Sequence, residues 1–160
     1  MELITINRDG LSLIGISTRT TNQQEATGQG KIPALWGTFF SEQITEKIPE
    51  IVHPHWMYML YSNYENGAEG EYTALIGHES EKKGDVPTGL IRIELPAAKY
   101  AVFTTRQGPV SEVVPEAWMQ IWEWSAAGRL RRTFSGDFER YDSRGFDPQQ
   151  AVVEIFIAVE

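Results

Sequence analysis

The chain carries one short passage twice. Pro33-Ala34-Leu35-Trp36 returns 82 residues later as Pro115-Glu116-Ala117-Trp118, and a pair of large apolar residues follows each copy, Phe39/Phe40 and then Ile121/Trp122. An internal repeat restricts a fold more than any single motif. Each copy must build the same unit, and the units must bury their apolar faces against one another. Both passages read as helices. Ile32, Leu35/Trp36, Phe39/Phe40 and Ile44 recur at helical spacing, and so do Val114, Ala117/Trp118, Ile121/Trp122 and Ser125. Proline suits the first helical turn, where its missing N–H costs no bond. Gly128 is placed to end the second helix.

The flanks of the two helices also correspond. Short β-rich runs precede them, residues 11–17 in the first half and residues 90–95 and 100–103 in the second. Two more strands follow each helix: 56–64 and 72–78 across the turn-forming 65–70, then 137–141 and 153–159 across 142–148. Residues 21–31 are polar and Gly-containing and read as a mobile loop. The pattern predicts an α+β protein of duplicated βαββ halves, about 1–84 and 85–160, joined near the charged stretch 81–85. A pseudo-two-fold axis would relate them, with two main helices on one face of an antiparallel sheet. A half of about 80 residues with one helix buries little core alone, so residues 1–160 are expected to form a single domain.

Composition removes several function classes. The chain has no cysteine, which excludes thiolate nucleophiles, Cys-ligated metals and disulfides. A formal net charge of −8 argues against a nucleic-acid surface, which needs clustered Lys and Arg. No apolar run approaches a bilayer span, and the N-terminus lacks the basic and apolar regions of a signal peptide, so a cytoplasmic location is expected. His53-Pro54-His55 is read as a solvated turn rather than a metal site, and no phosphate loop, nucleophile elbow or dinucleotide fingerprint is present. No cofactor or metal is expected.

What remains unusual is aromatic content, with five Trp, six Tyr and seven Phe. In the last strand Val153, Ile155, Ile157 and Val159 share one face, read as the core face, while Glu154, Phe156 and Ala158 share the other. A carboxylate in so apolar a strand needs a compensating partner. Carried through the 82-residue offset, Glu154 falls on Tyr72, so two related strands offer an acid and an aromatic to one cleft. That combination suits a lipophilic organic cation, which ring quadrupoles attract. Trp36 and Trp118 lie on the core stripes of their helices and Trp122 continues the second stripe, whereas Trp124 sits at a different angle and is a candidate for a groove. Trp56, Met57, Tyr58, Met59 and Tyr61 crowd one strand, a mixture that suits adaptable binding walls.

These stretches resemble a known family, the GyrI-like small-molecule-binding domain, which also forms the effector-binding half of AraC-type and multidrug-responsive regulators. The resemblance runs through Ile14-Gly15-Ile16, Ile32 to Trp36, Tyr72 to Glu79, Ile93 to Tyr100, Trp118 to Trp124, Asp137 to Asp142 and Val153 to Val159. It implies a ligand cleft between the halves that takes small amphipathic cations on a carboxylate surrounded by aromatics. The family's strand acid falls on Glu154, and Glu139, in the Asp-Phe-Glu-x-Tyr pattern, is a second acidic candidate. Tyr72, Phe156, Trp36, Trp118 and Tyr141 would supply the apolar and π surface. The first strand begins within about a dozen residues of Met1, so a standalone effector-binding domain without a DNA-binding portion is expected, as a monomer or homodimer. Two other readings stay open: a protein-interaction module of the gyrase-inhibitor type, and a small-molecule hydrolase using Glu154 or Glu139 as general base.

Overall fold

A computed structural model describes residues 3–160. In chain order its elements are β1 (Leu3–Arg8), β2 (Leu11–Thr20), α1 (Asn22–Ala26), α2 (Ile32–Ser41), α3 (Ile44–Lys47) and β3 (Trp56–Ser62). They continue as β4 (Tyr72–Glu79), β5 (Ile91–Leu95), β6 (Ala98–Thr104), α4 (Val110–Ala126), β7 (Asp137–Asp142) and β8 (Glu154–Val159). The strands form one eight-stranded antiparallel sheet in the order β1-β6-β8-β7-β3-β4-β2-β5. This order reads the same from either end once β1 and β5, β2 and β6, β3 and β7, and β4 and β8 are exchanged. The pseudo-two-fold axis therefore passes between β3 and β7.

The halves are interlocked. β1 pairs with β6 of the second half, and β5 pairs with β2 of the first. Two-residue connectors nonetheless join β1 to β2 and β5 to β6, which lie at opposite ends of the strand order. The sheet has to curl until its ends meet. At the meeting point a Cβ built on Gly10 would lie 3.1 Å from the Leu95 carbonyl oxygen and 3.8 Å from the Ala97 nitrogen. A second close approach lies within the sheet, where Gly15 of β2 faces Gly77 of β4. A Cβ on Gly15 would meet the Ile76 oxygen at 2.0 Å, and one on Gly77 would meet the Ile14 oxygen at the same distance.

Strand alternation sorts the side chains into two cores. Ile14, Met59, Tyr72, Ile76, Ile155 and Ile157 face the helices and pack with Phe39 of α2 and Ala117 and Ile121 of α4. Leu13, Tyr58, Leu60, Leu75, Phe138 and Phe156 form the core on the opposite face. There Phe138 and Phe156 stack at 4.6 Å, and the guanidinium groups of Arg8 and Arg140 cover their rings.

Three local features differ from the sequence pattern. β1 was not anticipated. α4 starts at Val110 after Pro109 in extended conformation, so Pro115 lies inside the helix rather than in its first turn. Its end is as expected: Gly128 has φ +75 and the Arg129 N–H reaches back to the Trp124 carbonyl at 2.9 Å. Residues 21–31, read as a loop, contain α1, whose N-cap Thr21 accepts from the Gln24 N–H.

Candidate functional site

On the helix side of the sheet, α1, the start of α2, α4 and strands β3, β4 and β7 surround a cavity of about 460 Å³. That volume is ordinary for a small-molecule site. Tyr61 comes from β3, Tyr72 from β4, Glu139 from β7, and Val114, Pro115, Trp118, Met119 and Trp122 from α4. Asn22, Glu25 and Ala26 of α1, Ile32 of α2, Tyr64 and Ala68 of the β3–β4 loop, and Arg132 complete the wall.

Glu139 is 2% exposed. One carboxylate oxygen accepts from the Tyr61 hydroxyl at 2.6 Å and from the Trp118 indole N–H at 2.8 Å; the other accepts a short bond from the Tyr141 hydroxyl. Burial pushes its pKa above the ordinary carboxylate value, and the three donors pull against that shift. Burial and the neighbouring Glu139 charge push the Tyr61 and Tyr141 hydroxyls well above their ordinary value, so both stay donors at any physiological pH.

The repeat builds this arrangement. Trp118 meets Tyr61 edge-on at 5.3 Å and 78°, and Trp36 meets Tyr141 at 5.2 Å and 76°. Each helix thus sets its tryptophan against the tyrosine of the other half. At the axis itself the symmetry breaks, because Glu139 pairs across the β3–β7 ladder with Met59. Two matched Trp–Tyr pairs therefore converge on a single carboxylate.

Of the side chains singled out in the sequence, Tyr72 and Trp118 line the cavity. Tyr141 stands behind Glu139, and Trp36 lies behind Tyr141. Glu154 and Phe156 are not brought to the cavity. Glu154 pairs with Arg140 at 2.7 Å on the opposite sheet face, and Phe156 is buried there against Phe138. The tryptophans of α4 also exchange places. Trp124 packs on Phe103 and the helix-side core, while Trp122 is 37% exposed and lines the cavity. Tyr64, Glu25 and Arg132 carried no signal of their own in the sequence. Glu139 came only from the family's Asp-Phe-Glu-x-Tyr pattern; the unused signal was β7's parity, which groups Asp137, Glu139 and Tyr141 on one face and Phe138 on the other.

α1 closes one side of the cavity and fastens the helix beside it. The Glu25 carboxylate accepts from the Thr20 hydroxyl at 2.6 Å and from the Lys31 and Ile32 N–H groups at 2.7 and 3.3 Å, acting as the cap that Lys31 itself does not supply to α2. The Asn22 amide donates to the Ala68 carbonyl at 3.0 Å and ties α1 to the β3–β4 loop.

Other polar groups are already engaged. His78 is fully buried, accepts at Nε2 from the Thr45 hydroxyl at 2.9 Å and donates from Nδ1 to the Trp56 carbonyl at 2.8 Å. Burial lowers its pKa, so it is a neutral structural histidine. Among the described residues no group of His, Asp and Glu is arranged to hold a metal ion, and no helix is long and apolar enough to cross a membrane.

Residues 6–159 match the family of integron-associated effector binding proteins called Cass2. The chain belongs to the Cass2 family. Within the wider set of relatives, YobU of Bacillus subtilis (strain 168), a candidate transcriptional regulator, is 40% identical over 146 residues, covering 91% of this chain and 90% of YobU. A Cass2 integron cassette protein from the mobile metagenome of Vibrio cholerae superposes with a TM-score of 0.74 at 25% identity, covering 99% of this chain and 95% of that one. SAV2435, solved with tetraphenylphosphonium bound, superposes with a TM-score of 0.81 at 19% identity over all of this chain and 94% of its own, a likeness of fold. The Cass2 chain described here therefore has an effector-binding fold with relatives among transcription regulators.

Proposed function

We propose that this Cass2 protein binds small amphipathic organic cations in the cavity between α4 and the sheet, as a single effector-binding unit. Glu139 carries the charge, and Tyr61, Tyr72, Trp118 and Trp122 supply the aromatic walls. The observation behind this reading is a carboxylate 2% exposed, with no cationic partner among the described residues, at the base of an aromatic cavity. Burying such a charge is costly unless a cation compensates it, and aromatic faces add roughly 0.5–2 kcal/mol each for a desolvated cation. Tetraphenylphosphonium, bound by the structurally similar SAV2435, is a suitable probe. The donors around Glu139 favour this role over general-base catalysis, because both oxygens already receive hydrogen bonds.

Glu139→Gln is the decisive variant. The amide oxygen still accepts from Trp118 and Tyr61, and the amide NH₂ donates to Tyr141 once that hydroxyl rotates, so the fold should persist. Affinity for tetraphenylphosphonium, read by quenching of tryptophan fluorescence, should fall at least tenfold, since removing a desolvated charge partner costs about 2–5 kcal/mol. Unchanged affinity in Glu139→Gln with a large loss in Glu154→Gln would move the site to the opposite sheet face.

A further inference from the structure

The cavity wall holds a cation of its own. The Arg132 side chain is 3% exposed and lines the cavity. Its Nη2 donates to the buried carboxylate of Asp137 at 2.7 Å, and that same oxygen accepts from the Tyr64 hydroxyl at 2.6 Å. Nη2 is the sole guanidinium nitrogen with an acceptor among the described residues, and Nε is buried without one. The guanidinium lies 4.3 Å from the ring centre of Phe134 and 5.8 Å from that of Trp118. Phe134 has φ +55, a left-handed conformation that a bulky side chain adopts only under constraint. Strained backbone of this kind tends to gather at ligand clamps.

A guanidinium beside a cation site looks contradictory until the charges are assigned. Asp137 neutralises Arg132, which leaves Glu139 as the uncompensated charge. What Asp137 does not use is the rest of the fork. Arg carries five N–H donors in a fixed plane, and a buried donor left unpaired is costly. We propose that Arg132 is a specificity-determining residue: the cavity selects organic cations that also carry a hydrogen-bond acceptor, such as an amide or ketone oxygen, to which an unengaged Nη N–H of Arg132 donates. The positive centre sits at Glu139 and the acceptor at Arg132. Trp118 contacts both residues, donating to Glu139 at 2.8 Å, so the two poles of the ligand lie roughly one indole apart.

This inference rests on the cation-binding reading, and a matched pair of probes separates the two. Butyltriphenylphosphonium and its analogue with a terminal primary amide on the same chain are titrated against the full chain by fluorescence and calorimetry. The amide analogue should bind about tenfold tighter or better, as expected for a hydrogen bond to a charged donor. Arg132→Met should abolish that preference while affecting the butyl cation less. Arg132→Lys keeps a charge for Asp137 and should reduce the preference, which covers the case in which the Met variant does not fold. Equal affinity of both probes for the wild type, with both lost in Glu139→Gln, overturns the role of Arg132 and leaves the cation site standing. A preference that persists in Arg132→Met or Arg132→Lys overturns it as well. Failure of both probes to bind overturns the cation site and Arg132 together.

Discussion

At the scale of the residue, the central fact is that Glu139 is held by donors rather than by a cation. Tyr61, Trp118 and Tyr141 stabilise the ionised form without neutralising it, and burial opposes them and prevails, so the carboxyl protonates more readily than an ordinary Glu. The sign of the pH dependence follows. A folded-state pKa above the unfolded one favours the native state at low pH, and that advantage is lost as pH rises through the folded value. Cation binding runs the opposite way, because only the carboxylate attracts the ligand. Affinity for tetraphenylphosphonium should rise with pH through a midpoint above the normal Glu value, and binding near that midpoint should release protons. Calorimetry in buffers of different ionisation enthalpy measures both. A flat profile in the wild type, or a slope that persists unchanged in Glu139→Gln, would remove Glu139 as the group that sets the affinity. Glu139 was offered only through the family resemblance, as the acid of the Asp-Phe-Glu-x-Tyr pattern at residues 137–141. The sequence favoured Glu154 because an acid flanked by Val153 and Ile155 looks more anomalous than one in a polar strand, yet Arg140, directly opposite on β7, satisfies it.

At the scale of the element, register decides which side chains meet. The offset of 82 relates Trp36 to Trp118, but Tyr61 and Tyr141, which play matching parts, are 80 residues apart. Between β4 and β8 the parity itself changes, since Tyr72, Ala74 and Ile76 face the helices while Ile155 and Ile157 do so on β8. A one-residue slip sends every side chain of a strand to the other face, and this is why a uniform offset placed Glu154 in the cleft. The periodicity of the helices and the positions of seven strands were legible because each is written in local alternation; the differing offsets were not, because they depend on loop lengths. Two glycines, one in the sheet and one in a helix, test the packing in opposite directions. Gly77→Ala would drive a Cβ to 2.0 Å from the Ile14 carbonyl oxygen, and overpacking of this kind costs about 1–3 kcal/mol or more. Gly37, inside α2, has open space around its Cβ position, so Gly37→Ala should stabilise by roughly 0.5–1 kcal/mol. Urea midpoints at constant m-value read both, and a neutral Gly77→Ala would mean that β2 and β4 separate more easily than their facing glycines imply.

At the scale of the whole molecule, duplication and independence part company. The halves share an architecture, but each lends its outer strand to the other: β1 completes the second half beside β6, and β5 completes the first beside β2. This exchange was not legible, because a strand's own alternation specifies a buried face and says nothing of its neighbour. It has a thermodynamic consequence. A fragment of residues 1–84 would keep β1 without β6 and would bare the β2 edge that β5 covers, besides losing the β3–β7 pairing at the axis. The cavity draws on both sides of that axis, with Tyr61 and Tyr72 from one half and Trp118 and Glu139 from the other. We therefore expect one cooperative transition, in which far-ultraviolet dichroism and tryptophan fluorescence coincide and tetraphenylphosphonium shifts both together. Fragments 1–84 and 85–160 should each lack a cooperative transition alone and should recover it, with cation binding, only when mixed. A fragment that unfolds cooperatively by itself would show that the exchanged strands decorate two self-sufficient units rather than join them, and the seam carrying Glu139 would then be an interface that can open.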